Sequence, residues 1–599
     1  MTKKRIDPHS FHIPVMGLAF TIDSPIKIAK YGISSVISIV DDILIEKMNE
    51  YYSTKFEIPF KAISTKVEDY RAKRITSYLN TVDTIVKHKF ETLKKSFEEK
   101  SSEFEKYMDM LPDFSEIKQN FVETVHNNKL KEDVSSWFQN NLKPGSIDVN
   151  IMTKLDKPNY SKNELLPSEF NDAHAALRGF ANSNLESSVV LSAGMNPRLY
   201  SYFEKFSDFY PDANGFQKKK IILKVSDYRS ALIQGKFLAK KGLWVSEYRI
   251  ESGLNCGGHA FASDGYLMGP ILEEFKNHKN DLISDVHNIL VGALENKEKH
   301  IPSSPLELKI TAQGGVGTSE EHEFLLDNYN IDSVGWGSPF LLVPEVSTVD
   351  KQTIEALKVA KEKDLYLSNI SPLGVPFNSL RGNTNEIFKK ERIANNKAGS
   401  SCPKKFLASN TDYSEKVICT ASRKYQTIKL SELETKNLTS DEYSKKATQI
   451  TDKACLCEGL SNAALINNNI EHKGEKQGVA ICPGPNMAYF SKELSLKEMV
   501  HHIYGKANVI ATNNRPHMFI KELSMYVDYF SNKVDEFKDS LTKKNEKYLN
   551  TFQTNLTDGI EYYHQLFSSF DVNKEILLSE LDTLKNELFT IKIPILVNA

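Results

Sequence analysis

The chain has 599 residues, 40% of them hydrophobic and 26% charged, and its 76 Lys and Arg balance 78 Asp and Glu to a formal net charge of -2. That length allows about two to four domains, and the neutral balance argues against a protein whose main surface coats nucleic acid or an anionic membrane. No run approaches about 18 consecutive apolar residues, so no membrane-spanning helix is expected, and the stretch after Met1 lacks an apolar leader core, so a cytoplasmic protein is expected.

Along most of the first 345 residues, short β-branched runs are followed by helical patterns, the signature of βαβ units around a parallel sheet. Eight such runs occur: His12–Ala19, Ser34–Val40, Ser146–Thr153, Ser188–Gly194, Lys220–Val225, Leu243–Glu247, Glu307–Gln313 and Ile331–Trp336. Eight units predict an α/β fold, a closed (β/α)8 TIM barrel, over residues 1–42 and 144–365. Residues 43–143 break the alternation with Phe90, Leu93, Phe97, Phe104 and Met108 at helical spacing, and read as an inserted helical subdomain. Residues 366–492 are loop-rich and hold five of the six cysteines. Residues 493–599 are again helical, with Met518, Leu523, Val527, Phe530, Val534 and Phe537 on one face. The two helical additions are expected to pack on each other or to form a homodimer interface.

Catalytic groups of such barrels stand on the loops after the strands, and a phosphate site is often built after strands seven and eight. After the seventh run comes Gly314-Gly315-Val316-Gly317, leading into Ser319-Glu320-Glu321, and after the eighth comes Gly335-Trp336-Gly337-Ser338. Glycines let backbone N–H groups approach an anion, and the helix start adds a favourable dipole. A phosphate-bearing cofactor is therefore expected, against the alternative of two tight turns. After the sixth run stands Asn255-Cys256-Gly257-Gly258-His259, where His259 is either a general base or a structural hydrogen-bonding group. Cys256 is either a thiol activated by His259 or a small packing residue. His501-His502 and Arg515-Pro516-His517, in or beside the helical tail, read as surface groups.

Taken together with Met16-Gly17-Leu18-Ala19 after the first run, these motifs resemble the nitronate monooxygenase (2-nitropropane dioxygenase) family of FMN-dependent barrels, which includes FabK- and PfaD-type enoyl reductases. The resemblance covers about residues 10–380 without the insertion, and Ser371-Pro372-Leu373-Gly374 is similar to a segment following the barrel in several members. It implies that Gly314, Gly315, Gly317, Gly335, Gly337 and Ser338, with Trp336 between them, hold the FMN phosphate. It further implies that Met16, Gly17, Leu18 and Ala19 line the flavin ring, that Asn150, Gly257 and Gly258 lie near it, and that Lys224 brings positive charge to its N1/C2 edge. His259 matches the family's substrate base or positioning histidine. The implied activity is oxidation of a small substrate with an acidic C–H or nitronate-like character, dioxygen reoxidising the flavin. NAD(P)H-dependent reduction of an enoyl or carrier-bound acyl thioester is the alternative, and a non-catalytic flavin-binding scaffold a third. Asn255-Cys256 departs from the Glu-Ala that commonly precedes Gly-Gly-His. The segment Ile481–Phe490 resembles the family's closing segment and brings Asn486 or Tyr489 toward the site.

The clustered cysteines leave three readings open: a structural zinc, an iron–sulfur cluster, or packing. Cys419, Cys455, Cys457 and Cys482 are the expected ligands, with Cys402 further upstream.

Overall fold

The computed structural model describes residues 7–96, 101–126, 141–152, 156–162, 164–192, 194–255, 258, 264–471, 478–512, 514–538 and 540–594. Eight parallel strands close into a barrel: β1 (Phe11–Ile13), β2 (Ser34–Ser38), β3 (Ile147–Ile151), β4 (Ser187–Leu191), β5 (Lys219–Val225), β6 (Val245–Glu251), β7 (Lys309–Gln313) and β8 (Ser333–Gly335). Each pairs with its successor, and β8 returns to β1 through Phe11↔Val334 and His12↔Gly335. Each of the eight predicted runs supplies one strand. β3 is buried along its whole length, as expected where helices cover the outside and side chains fill the inside.

Alternate residues of each strand point inward. Val36, Val190 and Ile222, with Val15 packed against them, form an apolar layer inside the barrel. Below it the interior is polar and internally matched: Glu247 Oε1 accepts from Arg249 Nε at 2.8 Å and from Thr311 Oγ1 at 2.6 Å. Buried charge is tolerable in such a place only when paired in this way.

Helix α1 (Asp42–Lys55) starts at Asp41, whose carboxylate accepts from Ile43 N and Leu44 N, a side-chain cap for otherwise unpaired donors. Helix α2 (Tyr70–Lys95) packs along both α1 and α3 (Asp172–Ala181). Asp42 clasps α2 through Arg71 at 2.8 Å and Arg74 at 2.9 Å. Gly179 of α3 lies so near α2 that a Cβ there would stand 2.8 Å from Ile75. Residues 70–95 are thus part of the barrel's outer ring. The helix Ser102–Met110 follows.

Helices α4 (Met268–Asn296) and α5 (Ser319–Asn328) follow β6 and β7. Beyond the barrel, β9 (Leu365–Ser368) and β10 (Phe377–Leu380) form an antiparallel hairpin, docked at the mouth by Asn378 N donating to Gly258 O at 3.0 Å. The zone that reads as loop-rich also holds helices at Thr384–Ala394, Arg423–Glu434 and Ser440–Thr451.

Helix α6 (Leu496–Ile503) opens with a reciprocal cap between Ser495 and Glu498. It packs on Ser102–Met110, where Asp109 meets Lys497 at 2.8 Å and His501 at 3.0 Å. The two helical additions therefore touch within one chain. Helices α7 (Met518–Phe537), α8 (Lys543–Ser568) and α9 (Lys574–Thr590) then pack together. Helix α8 also lies on α4, where Gly269 N donates to the Tyr563 hydroxyl at 3.1 Å, and Tyr563 stacks on Phe519 of α7 with ring centroids 4.8 Å apart. Among the described residues no helix is long and apolar enough to cross a membrane.

Candidate active site

The strand ends open into a cavity of about 440 Å³ at the C-terminal mouth of the barrel. Val15, Gly17 and Leu18 form one side, Asn150, Lys224 and Glu251 the polar floor, and Asn255 and Gly258 the loop after β6. The outer wall comes from the post-barrel zone, with Leu373, Val375, Phe377, Phe406 and Leu456 among its members. Glu251 organises the floor: its Oε1 accepts from Lys224 Nζ at 3.1 Å, Asn255 Nδ2 at 2.6 Å and Gln313 Nε2 at 2.6 Å. The positive charge of Lys224 is accordingly matched by a carboxylate rather than presented alone. Asn150 Oδ1 is buried and accepts from nothing among the described residues. An orphaned acceptor of that kind costs about 1–3 kcal/mol unless a ligand or water meets it.

The glycine loop after β7 has a one-sided hydrogen-bond pattern. Three of its four carbonyls are taken: Gly315 O by Asn486 Nδ2 at 3.1 Å and Arg515 at 2.7 Å, Val316 O by Asn486 Nδ2 at 2.6 Å, and Gly317 O by His502 Nε2 at 2.9 Å. Gly317 N donates to Glu321 Oε2 at 2.9 Å. The N–H groups of Gly314, Gly315 and Val316, and those of Gly337 and Ser338 after β8, donate to nothing among the described residues. Gly314 and Gly315 sit at φ +109° and +86°, backbone conformations open to glycine and strained for any residue with a Cβ.

The bracing comes from the end of the chain. Arg515 pairs with Glu321 at 2.7 Å, both side chains almost fully buried. The Arg515 charge and its hydrogen bonds hold the Glu321 carboxyl below its ordinary range, against a burial that pushes the other way. Glu321 also accepts from Met518 N at 2.8 Å, tying the start of α7 to the start of α5. On the loop after β8, Ser338 Oγ accepts from Gly484 N at 2.8 Å.

The expected site residues thus fall into groups. Gly17, Leu18, Asn150, Lys224 and Gly258 share the cavity. Gly314, Gly315 and Gly317 lie on the loop after β7 that Asn486 and Arg515 brace, and Gly337 and Ser338 on the loop after β8. Met16 and Ala19 are fully buried, and their N–H groups are used by Thr21 Oγ1 and Leu460 O. Gly335 ends β8 beside His12 and Gln313. Trp336 is buried and donates from Nε1 to His322 Nδ1 at 3.2 Å. Cys256, Gly257 and His259 lie outside the described residues.

Two expectations are corrected. His502, Arg515 and His517 are not surface groups: His502 and the Arg515 side chain are buried in the bracing just described, and burial lowers the His517 imidazole. The reason is tertiary, since nothing in a short motif between two helices shows that it folds back under a barrel loop. Nor do the cysteines form a zinc site: among the described residues no three His, Cys, Asp or Glu side chains are placed to hold a metal ion. A tetrahedral zinc with bonds of about 2.3 Å needs thiolates about 3.8 Å apart. Cys402 and Cys419 pack in one apolar cluster, and Cys455, Cys457 and Cys482 in another.

Sequence reasoning placed none of Glu251, Gln313, Glu321 and Arg515 in the site. For Glu321 a signal existed: an acid in the first turn of a helix after a glycine loop. For Arg515 there was none.

No family model and no curated protein matches the chain. Among solved structures it is similar to FabK from Thermotoga maritima, at 13% identity over 66% of this chain and 83% of that one, with a TM-score of 0.32. It is also similar to the enoyl reductase domain of MlnA from the macrolactin biosynthesis cluster of Bacillus amyloliquefaciens, at 14% identity over 72% and 86%, with a TM-score of 0.30.

Proposed function

We propose that the chain is an FMN-dependent oxidoreductase. The observation that carries this reading is the set of unpaired backbone N–H groups at Gly314, Gly315, Val316, Gly337 and Ser338 beside a cavity large enough for a ring system. Five donors without acceptors suit a phosphate. The orphaned Asn150 Oδ1 suits a ring N–H, and Gly17 and Leu18 leave an apolar face for a planar group. FMN, when bound, supplies reversible two-electron chemistry that the amino acids lack. The remaining work belongs to the chain: the Glu251 network fixes the polar edge of the cavity, and the apolar outer wall excludes water.

In the leading version His259, next to Gly258 of the cavity, takes or holds the proton of a substrate with an acidic C–H or nitronate-like character, and dioxygen is the terminal acceptor. The apolar wall of Leu373, Val375, Phe377, Phe406 and Leu456 favours one second version, NAD(P)H-driven reduction of an enoyl or acyl thioester. Anaerobic mixing with NADH or NADPH separates them, because prompt loss of the flavin absorbance rules out the first. Purified protein is expected to be yellow and to release FMN on denaturation. Colourless protein that does not bind added FMN overturns the proposal in both versions. His259→Ala is expected to keep the flavin and to lower turnover by about two to four orders of magnitude; unchanged turnover removes His259 from the chemistry.

A further inference from the structure

Helix α7 meets the mouth of the barrel with two successive turns. Met518 N, at its start, donates to Glu321, which itself accepts from Gly317 N of the loop after β7. Glu522 stands four residues further on, on the same face of the helix, and reaches the loop after β6. Its Oε1 accepts from Ser252 Oγ at 2.7 Å and its Oε2 from Met268 N at 2.9 Å, with the Tyr563 hydroxyl of α8 at 3.4 Å. Ser252 follows the last residue of β6 and Met268 is the first of α4, so one carboxyl holds both ends of the segment between them. Among the described residues no cation pairs with Glu522. A buried acid without a cation costs stability that an apolar side chain of the same size does not, so support of the helix alone does not account for it.

The segment held in this way completes the cavity. Ser252 Oγ accepts from Leu254 N at 3.1 Å and Ser252 O from Asn255 N at 3.1 Å, and Asn255 Nδ2 reaches Glu251 of the polar floor at 2.6 Å. The same residues pack directly on the glycine loop after β7. A Cβ on Gly314 would stand 2.9 Å from Asn255 N and 3.1 Å from Ser252 Cβ, and one on Gly315 would stand 2.6 Å from Leu254. A displacement of Ser252 is therefore passed to the floor and to the glycine loop together.

We infer that Glu522 is a positioning residue of the cavity: from the C-terminal extension it sets residues 252–255 against Gly314 and Gly315, which makes α7 a working part of the site. The inference rests on the proposed function for what the cavity holds, and not for how it is shaped.

The test is hydrogen exchange by mass spectrometry on the full chain and on Glu522→Ala, Glu522→Gln and Ser252→Ala. In Glu522→Ala, amides of residues 252–255 and 314–317 are expected to exchange about tenfold faster, the equivalent of one lost hydrogen bond, while α3 on the barrel's outer ring is unchanged. Glu522→Gln keeps an acceptor and is expected to restore most of the protection. Ser252→Ala removes the donor at the loop and is expected to repeat the acceleration at residues 252–255 even if Glu522→Ala does not fold. Unchanged exchange at residues 252–255 in Glu522→Ala and Ser252→Ala overturns the inference, and so does equal acceleration in α3, which would make Glu522 a general support. With FMN added, the visible circular dichroism of the bound flavin is expected to change in Glu522→Ala and to return in Glu522→Gln; an identical spectrum in all variants removes Glu522 from the site. Failure of the natural chain to bind FMN bears on the proposed function, and the exchange measurement still decides the role of Glu522.

Discussion

Glu522 lies 2% exposed on α7 and accepts from Ser252 Oγ at 2.7 Å and Met268 N at 2.9 Å. It therefore grips both ends of the segment that joins β6 to α4. Burial raises its carboxyl from about 4.5 to about 7. A carboxyl raised on folding is more strongly protonated in the folded than in the unfolded chain. Its contribution is therefore complete below about 4.5 and is lost as pH rises through 7, with a limit of about 3 kcal/mol. Urea midpoints at pH 5 and pH 8 are expected to fall further in the natural chain than in Glu522→Gln, whose amide does not titrate; parallel falls would refute the assignment. Asn150 allows a second check at this scale. Asn150→Leu removes the orphaned oxygen, and FMN titration by fluorescence quenching is expected to show affinity about tenfold weaker, the equivalent of one hydrogen bond. Unchanged affinity would take Asn150 off the ring. Asn150 was legible in the sequence because it ends a β-branched run at the catalytic face. Glu522 was not, because one acid in an amphipathic helix reads as part of the solvated face.

At the scale of elements, the strand and glycine-loop pairs after β7 and β8 were readable from short stretches of sequence, since both depend on neighbouring residues. The bracing of the first loop was not, because its parts are Glu321, Asn486, His502 and Arg515, spread over almost 200 residues of chain. Arg515→Ala leaves the Glu321 carboxylate buried with its cation gone, and breaking a buried pair in this way costs about 3–5 kcal/mol. Chemical denaturation is expected to show a loss of that size, with weaker flavin retention, because Gly315 O is released on one side. Glu321→Gln combined with Arg515→Met is expected to recover part of the stability by removing both charges together. A double variant no more stable than Arg515→Ala would mean that the charge pair is not what holds the loop.

At the scale of the molecule, the C-terminal helices form part of the barrel's support. Helix α8 covers α4, and Phe519, Tyr563 and Phe567 form one continuous aromatic stack with centroids 4.8 and 5.6 Å apart. A chain ending after residue 512 loses Arg515 and Glu522 and uncovers the apolar face of α4. Such a truncation is expected to give aggregated or flavin-free protein by size-exclusion chromatography and absorbance. A soluble, flavin-loaded truncation would show that the extension is an independent unit. The same logic reaches residues 43–143, which read as an insertion because they hold no strand, yet place α2 between α1 and α3.

The sequence by itself determined the barrel: eight β-branched runs, each followed by a helical pattern, allow parallel strands covered on the outside, and a local periodicity is enough to specify them. It also determined where backbone donors are unobstructed, because glycine pairs act through their own φ angles. Only the tertiary structure decided which side chains brace those loops, which cysteines share an apolar cluster, and which acids and arginines in the tail are interior. Each of these depends on contacts between residues far apart in the chain, and side-chain spacing along a single element carries no information about them.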